Sequence, residues 1–343
     1  MSPNVTIVVP TFNRPRELRR LIEFLACAGN QYPVLVLDGG SDESKLANQE
    51  MARQHSFVTY YTYPSDLYLG SRYADGLERV STPYCVLCGD DDFVVPAGIA
   101  VCADFLDEHP SYAAATGRTL ALNYAKRGYF LKWGVSFEDV LKSRFNLSHK
   151  HFVQRFLNLI AYTSIGCPPL CYGTIRAPVV RAAFRLARPG MKYSSLELLL
   201  NSTVLLHGWA RTLNCFFNVR DYTSEPHREA IRDDPDTYFA RTDLEYIEQH
   251  WVEGLVQREG MDRGVAEYLA RTLLLDYEPM NSAEPPIHAT IIQRTLRRLR
   301  ALSQALFTIL APRVVANAFA IPNSDLKALL SAQRRYVRLE RKI

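Results

Sequence analysis

Residues 82–96 read TPYCVLCGDDDFVVP, a short apolar run set directly against three consecutive carboxylates. The run predicts a buried strand, and the aspartates an acidic turn at its end. Adjacent aspartates repel one another, so the cluster does nothing for folding and points to a cation, most simply a hard divalent metal that takes oxygen ligands. Such ions are held by one or two carboxylates plus substrate phosphate oxygens, so the metal in turn implies a phosphate-bearing substrate. Asp-rich turns are common on surfaces. This one follows a β-rich run, and open α/β sheets bind ligands beyond the carboxyl ends of their strands.

Upstream of that stretch, strand and helix patterns alternate. Residues 5–10 (VTIVVP) are a buried-strand run, and residues 16–28 carry Leu18, Leu21, Ile22 and Leu25 at helical spacing. Thr11, Phe12, Asn13, Arg14 and Pro15 lie between them, with Pro15 suited to the first turn of the helix. A second strand at residues 34–37 ends in Asp38-Gly39-Gly40-Ser41-Asp42. A helix to about His55, a third strand near residues 57–62, a helix at 69–80 and the strand at 84–88 complete the series. This alternation predicts a parallel sheet covered by helices. Right-handed crossovers return parallel strands in one direction, so residues 11–14 and 38–42 should reach the same edge as Asp90, Asp91 and Asp92.

Taken together, VVPTFNR at residues 8–14, LDGGSD at 37–42, the helix from Gly70 to Gly76 and the TPY through GDDD run at 82–92 resemble the inverting glycosyltransferases of family two, with the GT-A fold. The match covers about the first 110 residues. The resemblance implies an α/β, Rossmann-like, mostly parallel sheet flanked by helices and followed by a helical C-terminal region. Residues 1–110 would form the nucleotide-sugar-binding half, residues 111–235 the acceptor-binding half and residues 236–343 the helical region. It assigns Pro10, Thr11, Asn13, Arg14 and Asp38 to the nucleotide base and ribose. Asp90 and Asp91 fall to ribose and diphosphate, and Asp92, with Asp90, to Mn²⁺ or Mg²⁺. Where many members carry A-R-N on the helix before the D-x-D element, this chain has Ala74-Asp75-Gly76. Arg72 is then either the residue facing the diphosphate or a solvated helix arginine.

The second half carries fewer signals. A helix at 98–106, a β-rich stretch at 112–122, a mixed helical region at 133–160, a strand at 172–176 and a helix at 179–186 are expected. Residues 194–208 read as a helix, with Ser194 or Ser195 as cap and Gly208 as stop. Within it Glu197 stands among leucines, and burial would raise its pKa into the range of a general base. The resemblance adds an acidic element on such a helix that takes the proton of the attacking hydroxyl; the alternative is a surface Glu held by a cap or a cation. His207 and His227 lack the spacing of a metal pair. Arg220 and Asp221, after a strand-like stretch at 212–219, are secondary candidates for substrate contact.

Charge is uneven. Residues 285–343 hold eleven Lys or Arg against two Asp or Glu, a net +9 that leaves the first 284 residues at −5 out of a total of +4. Leu296, Leu299, Leu302, Leu306 and Leu310 make an apolar stripe with Arg294, Arg297, Arg298 and Arg300 at its start. Such a helix either lies on an anionic membrane surface or packs on its own domain, where it could equally serve a dimer. No nucleic-acid reader motif accompanies the charge. Seven cysteines without framework spacing suggest a reducing compartment. Cys85 with Cys88, and Cys167 with Cys171, read as small core residues. With neither a signal peptide nor a run of 18 apolar residues expected, the setting is cytoplasmic, and peripheral at the inner face of the membrane only if the basic helix is the one that lies on lipid.

The function that follows is metal-dependent, inverting transfer of a sugar from a nucleotide-diphosphate donor to a hydroxyl of a glycan or lipid-linked acceptor, in surface polysaccharide or glycoconjugate synthesis. Two alternatives stand beside it. Asp90-Asp91-Asp92-Phe93-Val94 fits the nucleophile loop of haloacid-dehalogenase-like phosphatases, with Asp90 phosphorylated and Asp92 as acid/base. A GT-A-like scaffold without turnover is the other.

Overall fold

The computed structural model describes residues 4–124, 135–139, 145–164, 170–221 and 239–282. Its first part is a regular alternation: β1 (Val5–Thr11), α1 (Pro15–Cys27), β2 (Val34–Asp38), α2 (Asp42–Arg53), β3 (Val58–Thr62), α3 (Leu69–Glu78) and β4 (Tyr84–Leu87). β1 pairs in parallel with β2 and with β4, and β2 pairs in parallel with β3. After the aspartates come β5 (Phe93–Val94), α4 (Pro96–Glu108), β6 (Tyr112–Tyr124), β7 (Val135–Asp139), β8 (Asn146–Leu147) and α5 (Phe152–Ser164). A 3₁₀ turn (Leu170–Tyr172) leads into β9 (Thr174–Arg176), α6 (Ala177–Arg185), α7 (Tyr193–His207) and β10 (Trp209–Asp221). Two further helices follow, α8 (Arg241–Glu259) and α9 (Arg263–Ser282).

One sheet runs through both parts, in the order β3-β2-β1-β4-β9-β6-β10-β5, with β7 on β6 and β8 on β10. β9 is antiparallel to both β4 and β6, and β6 is parallel to β10, so β6 and β10 point the same way as the first four strands. The short antiparallel pairing of β5 with the end of β10, Phe93 opposite Val219, brings residue 221 back to the aspartates.

Period-two alternation sends each strand's side chains into two cores. Val5, Ile7 and Val9 of β1, Val34 and Val36 of β2, and Tyr84 and Val86 of β4 join α1 and α4 on one face. Val8, Leu35, Leu37, Cys85 and Leu87 join α3, α5, α6, α7, α8 and α9 on the other. Cys85 and Cys88 therefore point into opposite cores, which excludes a two-thiol site, and burial pushes the Cys85 thiol up to about 12. Among the described residues no helix is long and apolar enough to cross a membrane.

Two expectations need correction, and one open alternative is settled. The region at 133–160 is not one helix: residues 135–139 pair with the edge of β6 as β7, and helix begins only at Phe152. Neither Ser194 nor Ser195 caps α7; Lys192 takes the N-cap position, its N–H bonded to Asp243 Oδ2 at 3.0 Å, and the Ser195 hydroxyl is buried without a partner. Arg72 is not solvated but 6% exposed. The leucine stripe at 296–310, its arginines, His227 and Cys167 lie outside the described residues.

α4 lies close against β10 at Gly98, where an ideal Cβ would stand 2.2 Å from the Phe216 carbonyl oxygen and 2.9 Å from Phe217 Cα. Backbone cannot swing aside as a side chain can, so Gly98→Ala should cost about 1–3 kcal/mol in urea unfolding. Val101→Ala, on the outer face of the same helix, should stay within about 0.5 kcal/mol.

Candidate active site

The parallel register sets Pro10 opposite Leu37 and Thr11 opposite Asp38, so the loops after β1 and β2 begin side by side. Asp38 is fully buried and satisfied from its own neighbourhood. Its Oδ1 accepts the Gly40 N–H at 2.7 Å, and its Oδ2 accepts from Asn48 Nδ2 at 2.7 Å and the Tyr60 hydroxyl at 2.6 Å. Asn13 takes a left-handed conformation (φ 56°), which asparagine tolerates, and its Oδ1 accepts the Ser41 N–H at 2.7 Å. Gly39 has no room for a side chain, because an ideal Cβ would lie 2.6 Å from Arg72 Nη1. The Arg72 guanidinium reaches under this junction from α3 and donates to the Thr11 carbonyl at 3.0 Å. Its Nε is buried without a partner, and the guanidinium carbon lies 5.9 Å from the centroid of the Phe12 ring, a residue that remains 45% exposed.

The same edge gathers the aspartates. Asp90 Oδ2 accepts the Thr11 hydroxyl at 2.7 Å, and Arg14 Nη1 donates to Asp90 Oδ1 at 3.2 Å and to Asp91 Oδ2 at 2.8 Å. Arg20, from α1, donates to the Asp91 carbonyl at 2.6 Å and ion-pairs with Asp221. Asp92 Oδ1 accepts the Asp221 N–H at 3.0 Å, and its Oδ2 faces Arg220 Nε at 3.8 Å. Burial is the main force on both outer carboxyls and raises each to about 7. For Asp90 the charge of Asp91 adds to the rise while Thr11 and Arg14 oppose it; for Asp92 the strongest opposition comes from Arg220.

Glu197 lies on the second-core side, in a small solvent-open recess whose lining includes Tyr73, Tyr172, Phe184 and Tyr193. Its Oε1 accepts the Tyr172 hydroxyl at 2.7 Å, and the Tyr172 and Tyr193 hydroxyls are 2.7 Å apart. Burial raises the Glu197 pKa; the Tyr172 hydrogen bond, Arg220 and Tyr193 pull it back. The Arg220 guanidinium stacks 4.8 Å above the Tyr172 ring. Asp92, Arg220, Tyr172 and Glu197 thus form a continuous line from the acidic turn to the recess.

Among the described residues no group of three His, Cys, Asp or Glu side chains converges as a metal cage. An ion that keeps substrate phosphates as ligands needs less, one or two carboxylates. An ideal Cβ on Gly89 would stand 2.9 Å from Asp91 Oδ1 and 3.6 Å from Asp92 Oδ2, so two carboxylate oxygens face the space that glycine leaves open. That donor set fits Mg²⁺ or Mn²⁺. Thr11 and Arg14 hydrogen-bond both Asp90 oxygens, whereas among the described residues Asp92 Oδ2 has only Arg220 at 3.8 Å, so of the two carboxylates Asp92 is the more open at one oxygen. His207 is elsewhere, its Nδ1 on the Thr203 carbonyl and its Nε2 against Arg258.

Sequence reasoning placed Thr11, Arg14, Asp90, Asp91 and Asp92 together, and the structure brings them together. It gave Arg220 and Asp221 too little weight. They obey the same strand-end rule as the other loops, but the turn of chain that delivers them is the β5–β10 pairing, which no local pattern announces. Tyr172 and Tyr193 carried no signal at all, being 25 and 4 residues from Glu197 with no shared motif.

A family model described as glycosyl transferase family 2 matches residues 6–158. None of the curated proteins matches the chain. Among solved structures, crystal structures of S. aureus TarS 1-349 share the fold. The complex with UDP-GlcNAc has a TM-score of 0.57 at 12% identity, covering 98% of this chain and 92% of that one. The TarS 1-349 structure and its complex with UDP have TM-scores of 0.52 and 0.53 at 12% and 11% identity, each covering 98% of this chain and 91% of that one.

A carboxyl whose folded pKa is raised from 3.8 to about 7 stabilises the fold at low pH, and that contribution is lost as pH rises through 7. Asp92→Asn keeps an oxygen for the Asp221 N–H and removes the ionisation. In metal-free buffer it should melt above wild type at pH 8, with the gap closing toward pH 5.

Proposed function

We propose, for a chain whose residues 6–158 belong to glycosyl transferase family 2, that it transfers a sugar from a nucleotide-diphosphate donor to an acceptor hydroxyl with inversion at the anomeric carbon. The observation that carries this reading is the line of groups from Asp92 through Arg220 and Tyr172 to Glu197. In this reading Asp92 marks the diphosphate end of that line and Glu197 the end that takes the proton. That a TarS structure of this fold holds UDP-GlcNAc supports a nucleotide sugar as the donor class.

In this reading the loops at residues 10–14 and 38–42 seat the nucleotide, with exposed Phe12 as a surface for the base. Asp38 acts from beneath by fixing the Gly40 backbone. A divalent ion held by Asp92 would neutralise charge on the departing diphosphate. Arg72 is a buried cation with no ion-pair partner among the described residues and an unbonded Nε; it adds fixed positive charge where that negative charge develops. Glu197 takes the proton of the acceptor hydroxyl as that oxygen bonds to the anomeric carbon from the face opposite the diphosphate, whose C–O bond breaks in the same displacement. Burial keeps the carboxylate basic enough for the task. A glycan or lipid-linked hydroxyl of a surface polysaccharide or glycoconjugate is the acceptor class.

Nucleotide sugars should stabilise the protein with Mn²⁺ and not with chelator, by about 2.7 kcal/mol at 100 times the dissociation constant, and Asp92→Ala should abolish the shift. No shift with any nucleotide sugar overturns the reading. Glu197→Gln should keep that shift and lose transfer by about 10²-fold or more.

A further inference from the structure

The described geometry around Glu197 does more than bury a carboxylate. A phenol has one proton, so if Tyr172 donates to Glu197 Oε1, the 2.7 Å contact between the two phenols must be a donation from Tyr193 to Tyr172. Both hydroxyls then point their protons toward the carboxylate, and Tyr193, 53% exposed, links the chain to solvent. Tyr172 is held rigidly. The Cys171 N–H beside it bonds Asn201 Oδ1 at 2.8 Å, and Asn201 lies one helical turn after Glu197 on α7. The next residue, Gly173, is tied back to the Leu170 carbonyl at 2.9 Å and has no room for a Cβ, which would stand 2.9 Å from the Ala115 oxygen. The turn that carries Tyr172 is therefore closed on itself by the Gly173–Leu170 bond and tied to the helix that carries Glu197 by the Cys171–Asn201 bond. Tyr172 thus holds Oε1 of the carboxyl, and Tyr193 also reaches the carboxyl directly. On its other side the Tyr172 ring supports Arg220, which leans on Asp92.

We propose that Tyr172 is the positioning residue for Glu197: its hydroxyl, backed by Tyr193, fixes the carboxylate through Oε1, and its ring holds Arg220 in place at the donor end. This rests on Glu197 being the base of a sugar transfer. The hydroxyl and the ring do separate jobs, so they come apart in different variants. The groups facing Glu197 are Tyr172, Tyr193 and Arg220, with the buried Cys171 thiol and Tyr73 behind them. Of these only Tyr172 touches both Glu197 and Arg220.

The test measures kcat, donor KM and their pH profiles for wild type, Tyr172→Phe, Tyr172→Leu and Tyr193→Phe. Alongside, the Glu197 carboxyl is titrated by ¹³C NMR in Glu-labelled protein, assigned with Glu197→Gln. Tyr172→Phe keeps the ring and should lower kcat by about tenfold to a hundredfold with donor KM unchanged. Loss of a bond that favours the carboxylate should move both the acid limb of kcat and the NMR midpoint to higher pH. Tyr193→Phe should move both in the same direction by less, and Tyr172→Leu should also raise donor KM. Wild-type kcat and acid limb in Tyr172→Phe overturn the inference and leave the transferase reading standing. So does a lower kcat with an unmoved NMR midpoint, which marks a purely structural tyrosine. A wild type that neither transfers nor hydrolyses any nucleotide sugar overturns the transferase reading, and the inference with it, whatever the NMR midpoint does.

Discussion

Three adjacent aspartates at the end of a strand are a concentration of like charge that the fold must answer, and it answers with three arginines from three places. Arg14 leaves β1 and bridges Asp90 and Asp91; Arg20 rises from α1 to the Asp91 carbonyl and Asp221; Arg220 closes β10 and faces Asp92. The Arg20–Asp221 pair is almost wholly buried, the kind of contact whose loss from one side costs about 3–5 kcal/mol because the other charge is stranded. The aspartate cluster thereby ties the first strand, the first helix and the last strand of the sheet to one point. The charge that suggests a metal thus also draws cations from both parts of the domain to one place.

That point organises the chemistry. Donor-side groups come from strand ends that share an edge because parallel strands share a direction. Glu197 comes from a helix packed on the other face of the sheet, and it meets the donor side only because β10 ends beside Asp92 and the turn at Tyr172 lies between them. Arg220 is the one described side chain that faces Asp92 on one side and stacks on the Tyr172 ring on the other. The antiparallel insertion of β9 puts that turn where it is, since β9 pairs with β4 and β6 and its entry from the Leu170–Tyr172 turn sits next to the acidic edge.

Much of this was legible in the chain. Runs such as VTIVVP have apolar residues at both parities, which only a strand covered on two faces can use, and Val5, Ile7 and Val9 do enter one core while Val8 enters the other. The strand-end loops follow from that topology. Illegible were the elements whose conformation comes from a distant partner. Residues 135–139 become a strand because the edge of β6 offers hydrogen bonds, not because their own pattern demands it. Arg72 looks like any helix arginine until Gly39, which has no side chain, lets the guanidinium pass beneath the loop.

The sequence by itself determined the parallel α/β sheet, the edge on which chemistry gathers and the acidic turn at its centre, because periodicity and turn residues act over a few neighbours at a time. The tertiary structure alone decided which cation meets which aspartate, that Arg72 is buried, and that Tyr172 stands between Arg220 and Glu197. Those contacts join residues 25 to 201 positions apart. Their geometry depends on how helices seat against a twisted sheet, and no local pattern in the chain encodes it.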